Sequence, residues 1–307
     1  MNGSSGDVAW SELLERNLAR RVVWSRTGGA LPWALFRAGP VVLAYPRFPL
    51  GLGDNDAWVL DSLPAVQSEL AANNVDLLRM SAPMGLLAAL PRIRIESSAP
   101  ETVVERLGDW RAQDLAPTVR RKFRQAEKAG LVVRPAEAAD GAACHSLYVR
   151  SVSRHRGALR YSKLYFDDLC ATSASAGPVV VTKALTADGR IAGFLATLRQ
   201  SDSVYYLHGG YRDDCAAMRP GYFLMRWSLE AAREAGQRRF NFLTSPLGQP
   251  ALLAYKESFG GRSSQRSYWQ QPLTAMGSMT AWSLRLLASV RTRRVAAQAL
   301  DSNSMSA

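Results

Sequence analysis

Three side chains in this sequence have types that suit proton transfer or phosphate binding. His208 lies near the end of the strand-like run Val204–Tyr211. Because an imidazole titrates near neutral pH, His208 is a candidate general base, and the alternative is an ordinary sheet histidine. Arg47 and Arg37 can each bind a substrate phosphate through paired N–H donors, and the alternative is a pair of surface arginines.

Metal-dependent and covalent chemistry have little support in the sequence. The chain has three histidines and three cysteines, and it contains neither an HExxH nor a CxxC motif. No GxSxG motif occurs, and nothing near Cys215 in the sequence would activate its thiol. We therefore predict no metal site and no disulfide scaffold, which suits a reducing compartment.

The second half of the sequence predicts the elements that would position these residues. The predicted order is two helices, three antiparallel strands, a helix, a strand, a helix and a strand, which resembles the order of the GNAT acyltransferase fold. The predicted elements are Glu137–Arg154, Ser162–Ala171, Val179–Leu185, Ile191–Leu198, Val204–Tyr211, Gly221–Ala235, Phe240–Leu243, Pro250–Ser258 and Ser264–Trp269. A helix that begins close after a strand offers free N–H groups to an anion, so the start of the Gly221 helix is a candidate phosphate site.

The first half repeats part of this order, which indicates an internal duplication. Its predicted elements are a helix, a hairpin, a second helix and a strand: Val8–Arg20, Trp33–Phe36, Val41–Tyr45, Leu63–Ala72 and Asp76–Met80. A basic helix, Pro117–Gly130, joins the halves, either as a binding surface or as a solvated connector. We predict a degenerate N-terminal GNAT-like lobe over 1–115, a GNAT-like acyltransferase lobe over 116–272, and a basic helix and tail over 273–307.

The charge and the hydropathy pattern narrow the class of protein. The formal net charge is +12, which attracts polyanions such as nucleic acid or a phosphorylated substrate, or else reflects an arginine-rich solvated surface. The start of the chain has no signal-peptide pattern, and no apolar stretch approaches the length of a membrane span. We predict a cytoplasmic monomer without stable membrane insertion.

Six segments, in order, carry a family resemblance: Ala44–Pro49 with Asp54–Asp56, Arg120–Gly130, Val152–Gly157 with Tyr165-Phe166, Tyr205–Gly210, Arg219–Met225 and Tyr255–Gly261. Together they resemble the Fem family, which transfers amino acids from charged tRNA to peptidoglycan precursors and has relatives in antibiotic pathways. The chain departs from the family at Asn241-Phe-Leu-Thr244, where the family often has Asp-Phe-Gly-Gly. The resemblance implies an α/β (α+β) fold of two tandem GNAT-like lobes, with mixed, mostly antiparallel sheets flanked by helices.

The resemblance also implies roles for particular residues. Lys256 matches the family's lysine near the tRNA 3′ end, where an ammonium can neutralise a phosphate or an oxyanion, and Tyr255 can stack on the terminal adenine. In CoA-using relatives the loop with Arg219, Gly221 and Tyr222 binds a pyrophosphate, but only one glycine of that motif is present here. The alternatives are an exposed lysine, a core tyrosine and a plain helix start.

These observations lead to three hypotheses about function. The first is an aminoacyltransferase that moves an amino acid from charged tRNA to the amine of a small peptide, nucleoside or cell-wall precursor. It would need no cofactor, because the amine attacks the activated ester directly, with Arg47 and Arg37 at the acceptor site. The second is an acyl-CoA-dependent N-acyltransferase, and the third is a non-catalytic binding module that keeps the fold.

Overall fold

A computed structural model describes residues 5–27, 29–53, 56–87, 94–154, 158–175 and 177–286. The chain divides into two compact units. Unit 1 comprises residues 1–22 and 99–266, and unit 2 comprises residues 23–98 and 267–307. This division is discontinuous and differs from the predicted boundaries after residues 115 and 272, because the first helix and residues 99–115 group with the second half.

Both units contain helices and strands. The helices are α1 (Ser5–Asn17), α2 (Ala57–Asp61), α3 (Leu63–Ala71), α4 (Met84–Leu87), α5 (Pro117–Lys128), α6 (Gly141–Arg154), α7 (Lys163–Ala174), α8 (Pro220–Glu234), α9 (Pro250–Glu257) and α10 (275–286). The strands are β1 (Arg21–Ser25), β2 (Leu31–Ala38), β3 (Val41–Pro46), β4 (Leu77–Pro83), β5 (Ser97–Val104), β6 (Val132–Pro135), β7 (Val179–Leu185), β8 (Ile191–Gln200), β9 (Ser203–Tyr211), β10 (Arg239–Thr244) and β11 (Arg262–Pro272). No helix in the described part of the chain is long and apolar enough to cross a membrane.

Unit 1 is built on a mostly antiparallel sheet with the strand order β11-β5-β10-β9-β8-β7-β6. β9 and β10 form a parallel pair, and β10 pairs antiparallel with β5. Helices α5 and α8 pack together over a core that contains Phe123, Leu224, Phe240 and Phe259. The apolar positions of α5 recur every three or four residues and face this core, which leaves Arg121, Arg124 and Lys128 exposed.

Unit 2 has the strand order β1-β2-β3-β4 followed by the end of β11. The β2–β3 hairpin is antiparallel, and β4 runs parallel to β3 with Leu43 opposite Leu77. A core around Trp33, Leu70 and Trp269 lies on this sheet. Helix α10 contributes to a second, smaller core of unit 2, in which Ala281 lies with Val41, Leu43 and Leu77.

Most predicted elements of the second half occur within a few residues of their expected bounds. Ser162 caps α7, because its hydroxyl accepts a hydrogen bond from the Tyr165 amide. Gly189 and Gly236 adopt the left-handed conformation expected of a hairpin turn and a helix end. Strands β1, β5 and β6 were not predicted. β1 and β6 are short, and β5 contains Pro100, a residue type that is uncommon in central strands. The segment 287–307, including most of the predicted basic tail helix, lies outside the described residues.

Gly277 gives a test of how tightly α10 is held. A methyl group on Gly277 would collide with the backbone carbonyl of Asp76, which belongs to the same unit. Gly277→Ala should therefore destabilise unit 2 by about 1–3 kcal/mol and lower its midpoint in calorimetry. Gly108→Ala is the matched control, because nothing lies near the added methyl group there. Equal midpoints for the two variants would contradict this packing of α10.

Candidate active site

A cavity of about 670 Å³ opens in unit 1 beside the ends of two parallel strands. β9 and β10 pair only over Ser203–Tyr205 and Arg239–Asn241, and the residues that follow on both strands line the cavity. A β-bulge at Leu207 interrupts the pairing of β9 with β8, as often occurs beside binding sites. Helices α6, α8 and α9 complete the wall. The cavity therefore lies where the sheet stops pairing.

Lys256 is a buried cation in this wall. Its side chain is on α9, the residue is 3% exposed, and it lines the cavity. The ammonium donates hydrogen bonds to the carbonyl oxygens of Leu243, at 3.1 Å, and Thr244, at 2.9 Å. Within the described residues these carbonyls take two of its three N–H donors, which leaves one for a substrate oxygen.

Burial lowers the pKa of Lys256 to about 8, because removing the ammonium from water disfavours its charge. The carboxylate of Glu101 acts in the opposite direction and raises the pKa of Lys256. The side chain is therefore mostly protonated at pH 7, and it offers a positive charge in a poorly hydrated site. A charge in such surroundings interacts more strongly with a developing anion than a charge in bulk water does.

The carbonyl groups that hold Lys256 are set by an unusual backbone conformation. Leu243 has φ +58°, a left-handed conformation that a non-glycine residue rarely adopts. The amide of Leu243 donates to Oδ1 of Asn241 at 2.7 Å, which holds the turn from within β10. The Fem family often has a glycine at the position of Leu243, and glycine adopts this conformation without strain. In this chain the hydrogen bond from Asn241 stabilises the same conformation at a leucine.

A buried ion pair anchors Asn241. Nδ2 of Asn241 donates to Oε1 of Glu101 at 3.0 Å, and Nε of Arg266 lies 3.0 Å from the same oxygen. All three side chains are buried. A buried carboxylate is stable only when it is paired and hydrogen-bonded, and both conditions hold here. Glu101 and Arg266 belong to no motif in the sequence, and only the departure from the family at Asn241 marks this region.

Tyr255 joins α9 to the beginning of α8. Its hydroxyl donates to the carbonyl of Gly221 at 3.1 Å, and its ring packs edge-on against the ring of Tyr222, with 5.1 Å between the ring centroids. Burial raises the pKa of Tyr255 well above its ordinary value, so the phenol stays neutral. Tyr255, Tyr222 and Gly221 all line the cavity, and the structure brings these three predicted residues together with Lys256.

Arg219 provides a second cation on the cavity wall. It has φ +59° at the N-cap of α8, and its Nε lies 3.4 Å from Oε1 of Gln125 on α5. Beside it, Nζ of Lys122 donates to the hydroxyl of Tyr222 at 2.6 Å. None of the described cavity-lining residues is acidic. The wall therefore favours neutral or anionic groups over cationic ones.

His208 lines the cavity but lies in aromatic surroundings. The rings of Tyr148, Tyr161, Tyr165 and Phe166 contact it, and its Nε2 is hydrogen-bonded to the hydroxyl of Tyr165 at 2.9 Å. Burial lowers its pKa to about 3, because no carboxylate compensates the lost hydration. An imidazole this weakly basic does not suit the predicted role of general base, and it acts here as part of the wall.

The predicted acceptor arginines belong to unit 2 and do not line the described cavity. Arg37 is exposed, and its Nε donates to the carbonyl of Gly39. Arg47 forms an ion pair with the buried carboxylate of Asp56 at 2.5 Å. Their predicted role at an acceptor site stays a prediction. Cys215 is buried, and burial raises the pKa of its thiol, which does not favour a nucleophile.

Comparisons with known proteins agree with this geometry. Residues 114–257 match the acetyltransferase (GNAT) domain, and this range contains all the described cavity-lining residues. The fold is similar to that of FemX, with 13% identity, 87% of this chain and 93% of that chain covered, and a TM-score of 0.62. A comparison with curated proteins found no match to this sequence.

Two further structures share the fold. L-PGS from Bacillus licheniformis is 13% identical, with 94% of this chain and 98% of that chain covered and a TM-score of 0.61. The C-terminal DUF2156 domain of a proposed lysylphosphatidylglycerol synthetase from Agrobacterium fabrum is 15% identical, with 92% and 91% covered and a TM-score of 0.61. The chain therefore shares the fold of these three structures, and its residues 114–257 match the GNAT domain.

Substitution of Leu243 tests the strained turn that holds Lys256. Glycine reaches the left-handed region without the Cβ clash that alanine suffers, so Leu243→Gly should be more stable than Leu243→Ala by about 1 kcal/mol. Both variants lose most of the leucine side chain, so that loss largely cancels when the two are compared. Urea unfolding measures the difference between their free energies of unfolding. At the exposed helical position Leu164 the order should reverse, because glycine is the poorer helix former. The same order at both positions would contradict the strain at Leu243.

Proposed function

From the premise that residues 114–257 form a GNAT domain, we propose that this protein transfers an aminoacyl group from charged tRNA to an amine. The acceptor is a small peptide, a nucleoside or a cell-wall precursor, and the product is an amide. The observation that carries the proposal is the ammonium of Lys256, buried in the wall of an aromatic-lined cavity and held by two fixed carbonyl groups.

The geometry supports direct attack by the acceptor amine. The neutral amine forms a bond to the ester carbon, and the carbonyl oxygen becomes negative beside the remaining N–H donor of Lys256. The C–O bond to the ribose then breaks, the amine loses one proton, and the ribose oxygen gains one. Lys256 keeps its proton throughout, and its role is to stabilise the oxyanion.

Charged tRNA fits the surroundings of the cavity as the donor. Arg219 lies at the start of α8, and Lys122 of the adjoining helix α5 reaches the same place through the hydroxyl of Tyr222. Arg121, Arg124 and Lys128 are exposed on α5. Such a cluster suits the closely spaced phosphates of a nucleic acid. The uncharged tyrosines Tyr222 and Tyr255 suit the stacking of an unpaired terminal base. The lack of an acidic residue in the described lining favours an aminoacyl group with an uncharged side chain.

Acyl-CoA is the second candidate donor, because the matched domain is described as an acetyltransferase. The cavity also lies beside the start of α8, where an anion is favoured. Against this donor, the loop supplies one glycine, and Pro220 at the first helical position has no N–H to offer a pyrophosphate.

A donor assay separates the two candidates. The purified protein is incubated with a panel of small amines and either charged tRNA or acetyl-CoA, each labelled in the acyl group. We expect label transfer from tRNA charged with a neutral amino acid, weaker transfer from lysyl-tRNA, and none from acetyl-CoA. Uncharged tRNA should compete, and its affinity should fall steeply as salt is raised. Transfer from acetyl-CoA alone would overturn the proposal.

Removal of the ammonium should slow the chemical step. Lys256→Met keeps much of the side-chain length and should lower kcat about a hundredfold to a thousandfold with little change in KM, because the oxyanion loses its donor. Lys163→Met is the matched control, since Lys163 is an exposed lysine on α7 that pairs with Asp167. A loss of less than about threefold in the Lys256 variant would exclude the proposed role.

The activity should depend on pH through Lys256. The pKa of Lys256 is lowered to about 8, so the ammonium is present below this pH and is lost as pH rises through it. We expect kcat to fall above pH 8 after correction for spontaneous ester hydrolysis. Glu101→Gln removes the charge that raises this pKa, so the falling limb should move to lower pH. The variant is compared only where circular dichroism shows it folded, and an unmoved limb would contradict the assignment.

A further inference from the structure

Helix α10 carries an apolar stripe that faces away from its unit. Met279, Trp282 and Leu286 are 71%, 65% and 51% exposed. Their spacing of three and four residues places them on one face of the helix, with the exposed Met276 beside them. Scattered exposed apolar residues are common, but a large contiguous stripe that includes a tryptophan marks a binding surface.

The opposite face of α10 packs against unit 2, which leaves the apolar stripe facing away from it. Ala281 is buried against Val41, Leu43 and Leu77, and Leu284 packs against the same cluster. Gly277 lies against the backbone of Asp76 with no room for a side chain. The helix is therefore apolar on two faces, and the described part of unit 2 covers only one of them.

The charge pattern indicates what covers the other face. From Leu273 to Leu300 the sequence contains no aspartate or glutamate, and it contains Arg285, Arg291, Arg293 and Arg294. Of these, Arg285 forms an ion pair with Glu96 at 2.6 Å. Tryptophan, methionine and leucine on one face, with arginine as the only charged residue type, suit the boundary between lipid headgroups and acyl chains.

We infer that α10 docks this protein on the surface of an anionic lipid bilayer, with Met279, Trp282 and Leu286 entering the interface. The described part of α10 is not long and apolar enough to cross a bilayer, and its exposed stripe suits a helix that lies along the bilayer surface. A second copy of the chain is a poorer occupant, because two such arginine-rich segments would repel each other, whereas anionic lipid attracts them. The inference does not depend on the proposed acyl transfer.

Vesicle sedimentation tests this inference. The full-length protein is spun with vesicles of phosphatidylcholine alone, or of phosphatidylcholine with phosphatidylglycerol. We expect binding to the anionic vesicles, weakened by salt, and little binding to the neutral ones. The double variant M279S/W282S keeps the net charge, and its affinity for the anionic vesicles should be at least roughly tenfold lower than that of the wild type.

The matched control is Leu164→Ser, which removes an exposed leucine (59% exposed) on α7 of unit 1. This variant should sediment with anionic vesicles as the wild type does. Equal binding by M279S/W282S and wild type would overturn the inference and assign any binding to the general positive charge. A lipid-free dimer that M279S/W282S dissociates would show that a second copy covers the stripe. Protection of a Met279→Cys thiol in the lipid-free monomer would show that the chain's own tail does.

Discussion

A positive charge can be held inside a protein only when fixed dipoles replace the water that it loses, and this constraint shapes unit 1. The ammonium of Lys256 is held by the carbonyl groups of Leu243 and Thr244. Those carbonyls point at it because the backbone turns left-handed at Leu243. This backbone turn is held by the side chain of Asn241, which is itself anchored by the buried ion pair of Glu101 and Arg266. Three strands, β5, β10 and β11, therefore cooperate to position one nitrogen atom.

Lys256 and His208 show how the local partners of a buried group decide its charge. Burial lowers the pKa of both groups, but at Lys256 the charge of Glu101 opposes the effect of burial, and the pKa falls only to about 8. His208 gains aromatic rings and a tyrosine hydroxyl, and its pKa falls to about 3. The cavity thus holds a cation beside a neutral aromatic wall. That combination suits an uncharged acyl group whose carbonyl oxygen becomes negative.

The fold shared with other proteins and the match to a domain family say different things about function. At 13–15% identity, the similarity to FemX, L-PGS and the DUF2156 domain shows an architecture and not a substrate. The match of residues 114–257 to the acetyltransferase (GNAT) domain supports the proposed acyl transfer. The identity of the donor therefore depends on features of this chain, namely its cations at the start of α8, its single glycine in that loop and its neutral cavity wall. Helix α10 adds a surface that the chemistry of the cavity does not require.

Local sequence signals determined most of the secondary structure of the second half of the chain. Asp188-Gly189, Ser162 and Gly236 each mark a turn, a cap or a helix end through the backbone preferences of single residues, and these preferences act without tertiary contacts. Sequence also grouped Lys256, Tyr255, Arg219 and Tyr222 as candidates, because family motifs keep their residue types. The tertiary structure alone decided what surrounds them. Long-range pairing put Glu101 behind Lys256 and closed aromatic rings around His208, and such contacts leave no periodic signal in one sequence because the partners lie far apart along the chain.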